Sequence, residues 1–264
     1  RYPCGRGILT MDRGVKRYKL RTKLTELFAP VGFRCIACGR EVFDEVGFCD
    51  ECRAKLPFNN GKTCKKCGVR IDGEEDYCGN CVEGKMYFDR AHSVFDYDGV
   101  VRRAILRMKF GNCGSYARVL SRYLAYLANK LKLDFDIVTF VPMSKSSYKK
   151  RRYNQAELLA RGFCDIMDVD DKFVATLVKV KDTSPQEKLN RAERKQNLIG
   201  CFRLADGVSV KGKSVLLIDD IKTTGSTVNE CAKVLKLKGA ADVNVLTVAS
   251  RPEYFVYESD YNLL

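Results

Sequence analysis

Apolar positions along the chain alternate between short continuous runs and stripes of helical spacing, and that alternation predicts a layered α/β protein. Val215, Leu216, Leu217 and Ile218 have the length and β-branched content of a strand buried on both faces. Asp136 to Met143 is a second such run, broken by Pro142 where a strand would open into a loop; Phe173 to Val180 and Val243 to Ala249 are two more. A short strand is also expected where Phe95 and Tyr97 alternate with Asp96 and Asp98. Between the runs lie helical stripes. Val100, Ala104, Ile105 and Met108 form one, and helices are expected from Tyr116 to Lys132 and from Asn154 to Met167. A fourth helix, 226–238, puts Val228, Cys231, Val234, Leu235 and Leu237 on one stripe before Gly239 as its cap. The succession implies a parallel sheet flanked by helices. Ahead of it, residues 11–34 carry Leu20, Leu24, Leu27 and Phe28 on a basic, roughly helical stretch, read as a surface helix rather than a membrane anchor.

The chemistry concentrates just after the best strand. Asp219 and Asp220 close the Val215 run, Thr223, Thr224, Gly225, Ser226 and Thr227 form the turn, and a helix follows. A hydroxyl and glycine turn running into a helix presents free backbone N–H groups and a helix dipole to a phosphate. Paired carboxylates beside it can accept hydrogen bonds from two adjacent sugar hydroxyls, so the implied ligand is a sugar phosphate. An ordinary turn capped by Thr223 or Thr224 would need one hydroxyl and no acidic pair. If the Asp136 and Val215 runs flank a switch point of the sheet, the loop after Pro142 faces this turn across one crevice. That loop carries Lys145, Lys149, Lys150, Arg151 and Arg152, a set suited to pyrophosphate.

Cysteines add a second module. Cys35, Cys38, Cys49 and Cys52 recur 29 residues later as Cys64, Cys67, Cys78 and Cys81, and both halves read C-x₂-C-G-x₉-C-x₂-C. Each pair aims two sulfurs at one centre, with Gly39 and Gly68 permitting the tight turn, so two closed four-sulfur zinc sites are expected; the spacing leaves both sequential and crosswise grouping of the ligands open, and sequential is favoured. Such sites are structural, and so small a segment depends on its metal to fold. Disulfides are the alternative, disfavoured in a chain without a secretory signal. Cys113, Cys164, Cys201 and Cys231 lack paired spacing and read as buried thiols, and His92, the only histidine, reads as an ordinary residue. The net charge of +14 favours a polyanionic partner such as nucleic acid, and residues 1–34 alone hold nine Lys or Arg against two acids. No apolar run reaches the roughly 18 residues of a membrane span, which points to a cytoplasmic protein without membrane insertion. The expected organisation is a basic segment (1–34), a double zinc-binding module (35–85) and an α/β domain (86–264) with a hood-like helical part (95–132).

The stretch Val215 to Thr227 resembles the phosphoribosyl pyrophosphate motif of the type I phosphoribosyltransferases over its whole length. Four further segments widen the likeness: the cysteine module, Tyr97 to Phe110 (Y-x-G-x₂-R-x₃-L-x₂-K-F), V-P-x-S-K from Val141 followed by R-x-Y-N-Q-A-E-L-L-A from Arg151, and T-x-P-Q-x₂-L-x₃-E-R-x₂-N from Thr183. In that order they are similar to the ComF family, phosphoribosyltransferase-like proteins associated with DNA uptake in bacterial competence. The resemblance implies that Asp219 and Asp220 hold the ribose hydroxyls and Thr223 to Thr227 the 5′-phosphate. It places Val141, Pro142, Lys145 and Arg151 near pyrophosphate. It further implies Mg²⁺ with the ligand, single-stranded DNA as a partner, and a competence helicase of the ComFA type beside it. Lys109, Thr183, Gln186, Arg194 and Asn197 fall on matching positions without an assigned role. Two departures stand out: Arg152 replaces a glycine usual in the family, and both zinc sets are complete where some relatives carry one. Nucleobase salvage is a second reading, weakened because Thr223 stands where the 6-oxopurine enzymes place an aspartate that handles the base's proton. A non-catalytic sensor of the sugar pyrophosphate is a third.

Overall fold

The structure, a computed structural model, describes residues 34–42, 47–111, 113–181 and 198–251. The basic amino-terminal stretch, the polar segment with Thr183, Gln186, Arg194 and Asn197, and the tail from Pro252 lie outside the described residues. Among those described, no helix is long and apolar enough to cross a membrane.

The sequence repeat is a structural repeat. Arg34 bridges Glu41 and Thr63 bridges Arg70, both antiparallel. The Cys35 N–H donates to Arg40 O (2.7 Å), as the Cys64 N–H does to Val69 O (2.9 Å). Gly39 and Gly68 follow at φ +82° and +65°, the left-handed backbone that the tight turn demands. Each half then closes with a short helix directly after its third cysteine, α1 (Asp50–Arg53) and α2 (Gly79–Glu83).

Strand β1 (Arg90–Asp96) leads into α3 (Gly99–Phe110) and α4 (Tyr116–Lys130). Next come β2 (Ile137–Phe140), a short helix α5 (Lys145–Arg151) and α6 (Gln155–Met167). Two small strands, β3 (Leu177–Lys179) and β4 (Phe202–Leu204), precede β5 (Ser214–Lys222), α7 (Ser226–Leu237) and β6 (Asp242–Ser250). The main sheet has the order β1-β6-β5-β2 and is parallel throughout. Val215 to Ile218 are at most 1 % exposed, as expected for a strand covered on both faces. Helix α7 ends where the sequence places its cap: Gly239 (φ +91°) donates to Lys236 O and Ala240 to Leu235 O, the paired bonds of a Schellman close.

Two expectations are corrected. The Phe173 run is not one strand of the main sheet. Phe173 makes a single parallel bridge beside Val138 on the outer side of β2, and Leu177 to Lys179 then turn away to pair antiparallel with β4. Its apolar side chains do not share one environment, Leu177 being buried and Val180 49 % exposed, so the run cannot lie flat in a covered sheet. The second correction concerns β5, which does not stop at Ile218. Its ladder with β6 continues through Ile221 and Lys222 to Ser250, so the two aspartates lie inside the strand.

The Phe173 bridge fixes the topology that matters. From β2 the chain moves outward through α6, and from β5 it moves the other way through α7 to β6. With the right-handed crossovers usual for parallel strands, α6 and α7 lie on opposite faces, and the segments leaving the carboxyl ends of β2 and β5 diverge at the position where open α/β sheets bind ligands.

The cysteine module is built into this sheet. Asp96 N–H donates to Pro57 O and Asn59 N–H to Val94 O, so residues 57–59 line the free edge of β1. Phe48 is buried edge-on to Tyr123 of α4, centroids 6.0 Å apart, a burial worth about 2 kcal/mol. A β-carbon on Gly68 would lie 2.2 Å from Ala91 O, so only glycine allows the second cysteine turn to sit this close to β1.

Candidate ligand crevice and metal centres

At the end of β2 the Val141 N–H donates to Ile218 O (3.0 Å), and Val141 O accepts from Asn154 Nδ2 (2.9 Å). These bonds hold Val141 and the buried Pro142 at the carboxyl end of β2 and tie them to the start of α6, where Asn154 caps the helix through Ala156 N–H. On the opposite bank, Asp220 is 7 % exposed and its Oδ2 lies 2.9 Å from Lys109 Nζ at the end of α3. Burial by itself favours the neutral amine of Lys109, but the carboxylates of Asp220 and Asp219 outweigh it and hold the ammonium above the usual lysine range. Lys109 had a position in the sequence but no partner. Its spacing from Val101 and Ile105 sets it on the buried face of α3, and a cation there is the signal that announces a buried anion.

Asp219 is half-buried, and its Oδ1 accepts from the Asp220 N–H (2.8 Å). Burial first, and the neighbouring Asp220 carboxylate second, push its carboxyl well above the ordinary carboxylate range. A raised carboxyl value means the folded chain binds that proton more tightly than the unfolded chain. Its contribution to stability is therefore full below the unfolded value of about 4 and is lost as pH rises toward the folded value. Asp219→Asn removes this penalty: the variant is expected to melt above the native protein at pH 7 and to converge with it as pH falls toward about 4. Thermal scans across that range check it, and a pH-independent difference would contradict the cause given. Asp220→Asn should do the reverse and lower the melting temperature, because it strands the Lys109 ammonium.

The turn after β5 is not a side-chain cap formed by Thr223 or Thr224. The N-cap of α7 is Gly225 at φ +77°, which has no side chain to offer the first turn. Thr224 Oγ1 pairs with Ser226 Oγ (2.8 Å) and accepts a long bond from the Ser226 N–H (3.4 Å), while Thr223 is exposed and Thr227 half-buried. This leaves a left-handed glycine opening a helix of 12 residues, the geometry in which backbone N–H groups converge on an anion. Sequence reasoning missed Lys222, which stands between the acidic pair and the turn, is 3 % exposed and runs its stem past Gly225.

The cationic segment is a helix rather than the expected loop. Ser144 accepts from the Ser147 N–H to start α5, and Arg152 ends it in the left-handed region at φ +66°. That position is one that a glycine occupies without strain. A residue with a β-carbon is strained there by about 1 kcal/mol, so Arg152→Gly should raise stability by about that much in urea titrations. Lys145 is exposed on the first turn and makes no hydrogen bond or ion pair among the described residues. Arg151 is half-buried, bonded to Gln155 Oε1 (3.4 Å) and stacked over Phe110 (5.0 Å). Consecutive residues of α3 thus touch both banks, Lys109 the acidic pair and Phe110 the cationic helix.

The eight module cysteines gather as two sets, Cys35 with Cys38, Cys49 and Cys52, and Cys64 with Cys67, Cys78 and Cys81, each with all sulfurs within 4.8 Å. The grouping is sequential, which decides between the sequential and crosswise arrangements that the spacing left open. Cys38 and Cys49 sulfurs lie 3.7 Å apart and Cys67 and Cys78 sulfurs 3.6 Å. A tetrahedral zinc with bonds of about 2.3 Å separates its sulfurs by about 3.8 Å, whereas a disulfide would need about 2.0 Å. The donor sets fit structural zinc with no open position. Cys113, Cys164, Cys201 and Cys231 are buried single thiols, in line with their spacing.

Residues 24–82 match the double zinc ribbon domain family and residues 153–262 the phosphoribosyl transferase domain family. Competence protein F of Haemophilus influenzae is 33% identical over 227 residues, 82% of this chain and 96% of that protein. The DNA utilization protein YhgH of Escherichia coli is 30% identical over 205 residues, covering 75% and 88% of the two chains. Competence protein ComFC of Bacillus subtilis is 27% identical over 209 residues, covering 76% and 82%. Two four-cysteine centres set against a type I phosphoribosyltransferase-like parallel sheet, in a chain that spans almost the whole of the Haemophilus protein at this identity, belong to the ComF family.

Proposed function

We propose that this protein binds phosphoribosyl pyrophosphate with Mg²⁺ in the crevice between β2 and β5 and engages single-stranded DNA, acting in the cytoplasm in DNA uptake or processing. The observation that carries the sugar-phosphate half is the run of adjacent carboxylates, one neutralised by Lys109, directly before a helix opened by left-handed Gly225. Asp219 and Asp220 would accept from the ribose 2′ and 3′ hydroxyls, and the Thr223 to Thr227 turn would take the 5′-phosphate. Lys145, Arg151, Val141 and Pro142 would face the pyrophosphate. Mg²⁺ prefers oxygen donors shared with substrate phosphates, which the carboxylate bank and such a ligand together supply. When bound, the ion would screen the charge of leaving pyrophosphate.

The DNA half is supported by the +14 charge and by the names of the relatives, which refer to competence and DNA utilization. A ComFA-like helicase is the protein partner that the family implies. Transfer of ribose 5-phosphate to an acceptor is within reach of the same groups, since an oxocarbenium-like transition state needs positioning and charge stabilisation rather than a nucleophile. Nucleobase salvage ranks second, because exposed Thr223 cannot act as a base toward a purine. Calorimetric titration with phosphoribosyl pyrophosphate and Mg²⁺, beside a screen of nucleobases for pyrophosphate release, tests the reading. Binding is expected, with affinity for oligonucleotides that falls steeply with salt. No heat of binding would remove the sugar-phosphate half, and turnover with a free base would put salvage first.

A further inference from the structure

We propose that Phe110 and Arg151 form a stacking platform for an unpaired base of a polynucleotide strand at the mouth of the crevice. The proposal rests on the reading that this protein handles single strands, and it deepens that reading by saying where a base would lie.

Phe110 is the last residue of α3. Val101, Ile105 and Met108 on the same helix are fully buried, yet Phe110 is 61 % exposed, so most of this aromatic lies outside the core. Its position is nonetheless fixed. The Arg151 guanidinium sits 5.0 Å from the ring centroid and is itself bonded to Gln155. Tyr153 OH donates to Met108 O, which clamps the end of α3 onto the junction of α5 and α6. A ring held on one side by a guanidinium offers the rest of its surface to solvent.

Charge identifies the occupant. Lys149, Lys150 and Arg152, at the end of α5 beside Arg151, are exposed, and none pairs with a described carboxylate. An apolar peptide would be served by the ring without the cations, and a lone phosphate by the cations without the ring. A single strand uses both, because every nucleotide carries a π-face and an anion. The preceding residue, Lys109, holds Asp220, so the platform stands one residue from the acidic bank.

The chain contains no tryptophan, so the indole of Phe110→Trp would be a lone reporter in the zinc-loaded full chain. The probes are oligothymidylate, an abasic deoxyribose phosphate oligomer of equal length, and free thymine. Oligothymidylate should quench the indole, while the abasic oligomer binds without quenching. Phe110→Ala should weaken oligothymidylate binding about 5- to 150-fold, with unchanged salt slope, unchanged affinity for the abasic oligomer, and native zinc content and melting temperature. If native protein binds oligothymidylate and Phe110→Ala binds it equally, the platform is wrong and the wider reading survives. Equal loss of the abasic oligomer would also overturn it, in favour of a purely electrostatic effect. Quenching by free thymine as strong as by the strand would assign the ring to a free base instead. Native protein that binds no strand at low salt removes both readings together.

Discussion

Asp219→Asn combined with Asp220→Asn is expected to abolish measurable binding of phosphoribosyl pyrophosphate while two zinc ions per chain are retained. Asparagine keeps the size of each side chain and removes its charge, so the crevice keeps its shape and loses two charge-assisted acceptors. Each such hydrogen bond contributes about 1.5–3 kcal/mol, so losing two lowers affinity by roughly a hundredfold or more. The change also strands Lys109, whose ammonium lies 2.9 Å from Asp220. Adding Lys109→Met removes that uncompensated charge and separates loss of binding from loss of fold. Calorimetry reads the affinity and metal analysis the zinc, since the cysteine sets contain none of these residues. Native affinity in the double variant would mean that the ribose lies elsewhere.

The strands, helices and metal ligands were legible because each writes a local period. Val215 to Ile218 is apolar at every position and is buried at every position. The 29-residue cysteine offset reappears bond for bond, from the Cys35 and Cys64 amides to the two left-handed glycines. What escaped depends on partners distant in sequence. Strand β5 runs on through polar residues because β6 accompanies it to Ser250. Residues 57–59 line β1 although nothing in their sequence marks an edge. The Phe173 run passes for one strand until β4 takes its second half. At the site, motif positions were visible but their electrostatics were not: the Lys109 ion pair arises only when α3 packs on the sheet, and Lys222 is buried although it sits in a polar run.

Replacing Cys64 by serine is expected to release one zinc and to destabilise the sheet as well as its own ribbon, whereas Cys38→Ser should release one zinc with a smaller loss of melting temperature. The difference follows from attachment. The second set sits in a half whose Lys66 O accepts from the Ala91 N–H of β1, whose Gly68 packs against Ala91 O, and whose Arg70 pairs with buried Asp96 at the end of the same strand. Just past α2, Tyr87 N–H donates to Asn229 Oδ1 on α7, so this half also reaches the helix that opens at Gly225. The first set is held chiefly by Phe48 and Gly47 against α4, and its Cys38 is exposed. Structural zinc in small folds supplies about 10–16 kcal/mol of apparent binding energy, comparable to the whole stability of a typical domain at about 5–15 kcal/mol. Unfolding of the second ribbon would therefore uncover β1 and leave Asp96 without its guanidinium partner. Zinc stoichiometry, melting temperature and sugar pyrophosphate affinity, measured together on both variants, decide the matter. Equal melting temperatures with one zinc lost in each would show that the second ribbon supports the sheet no more than the first does.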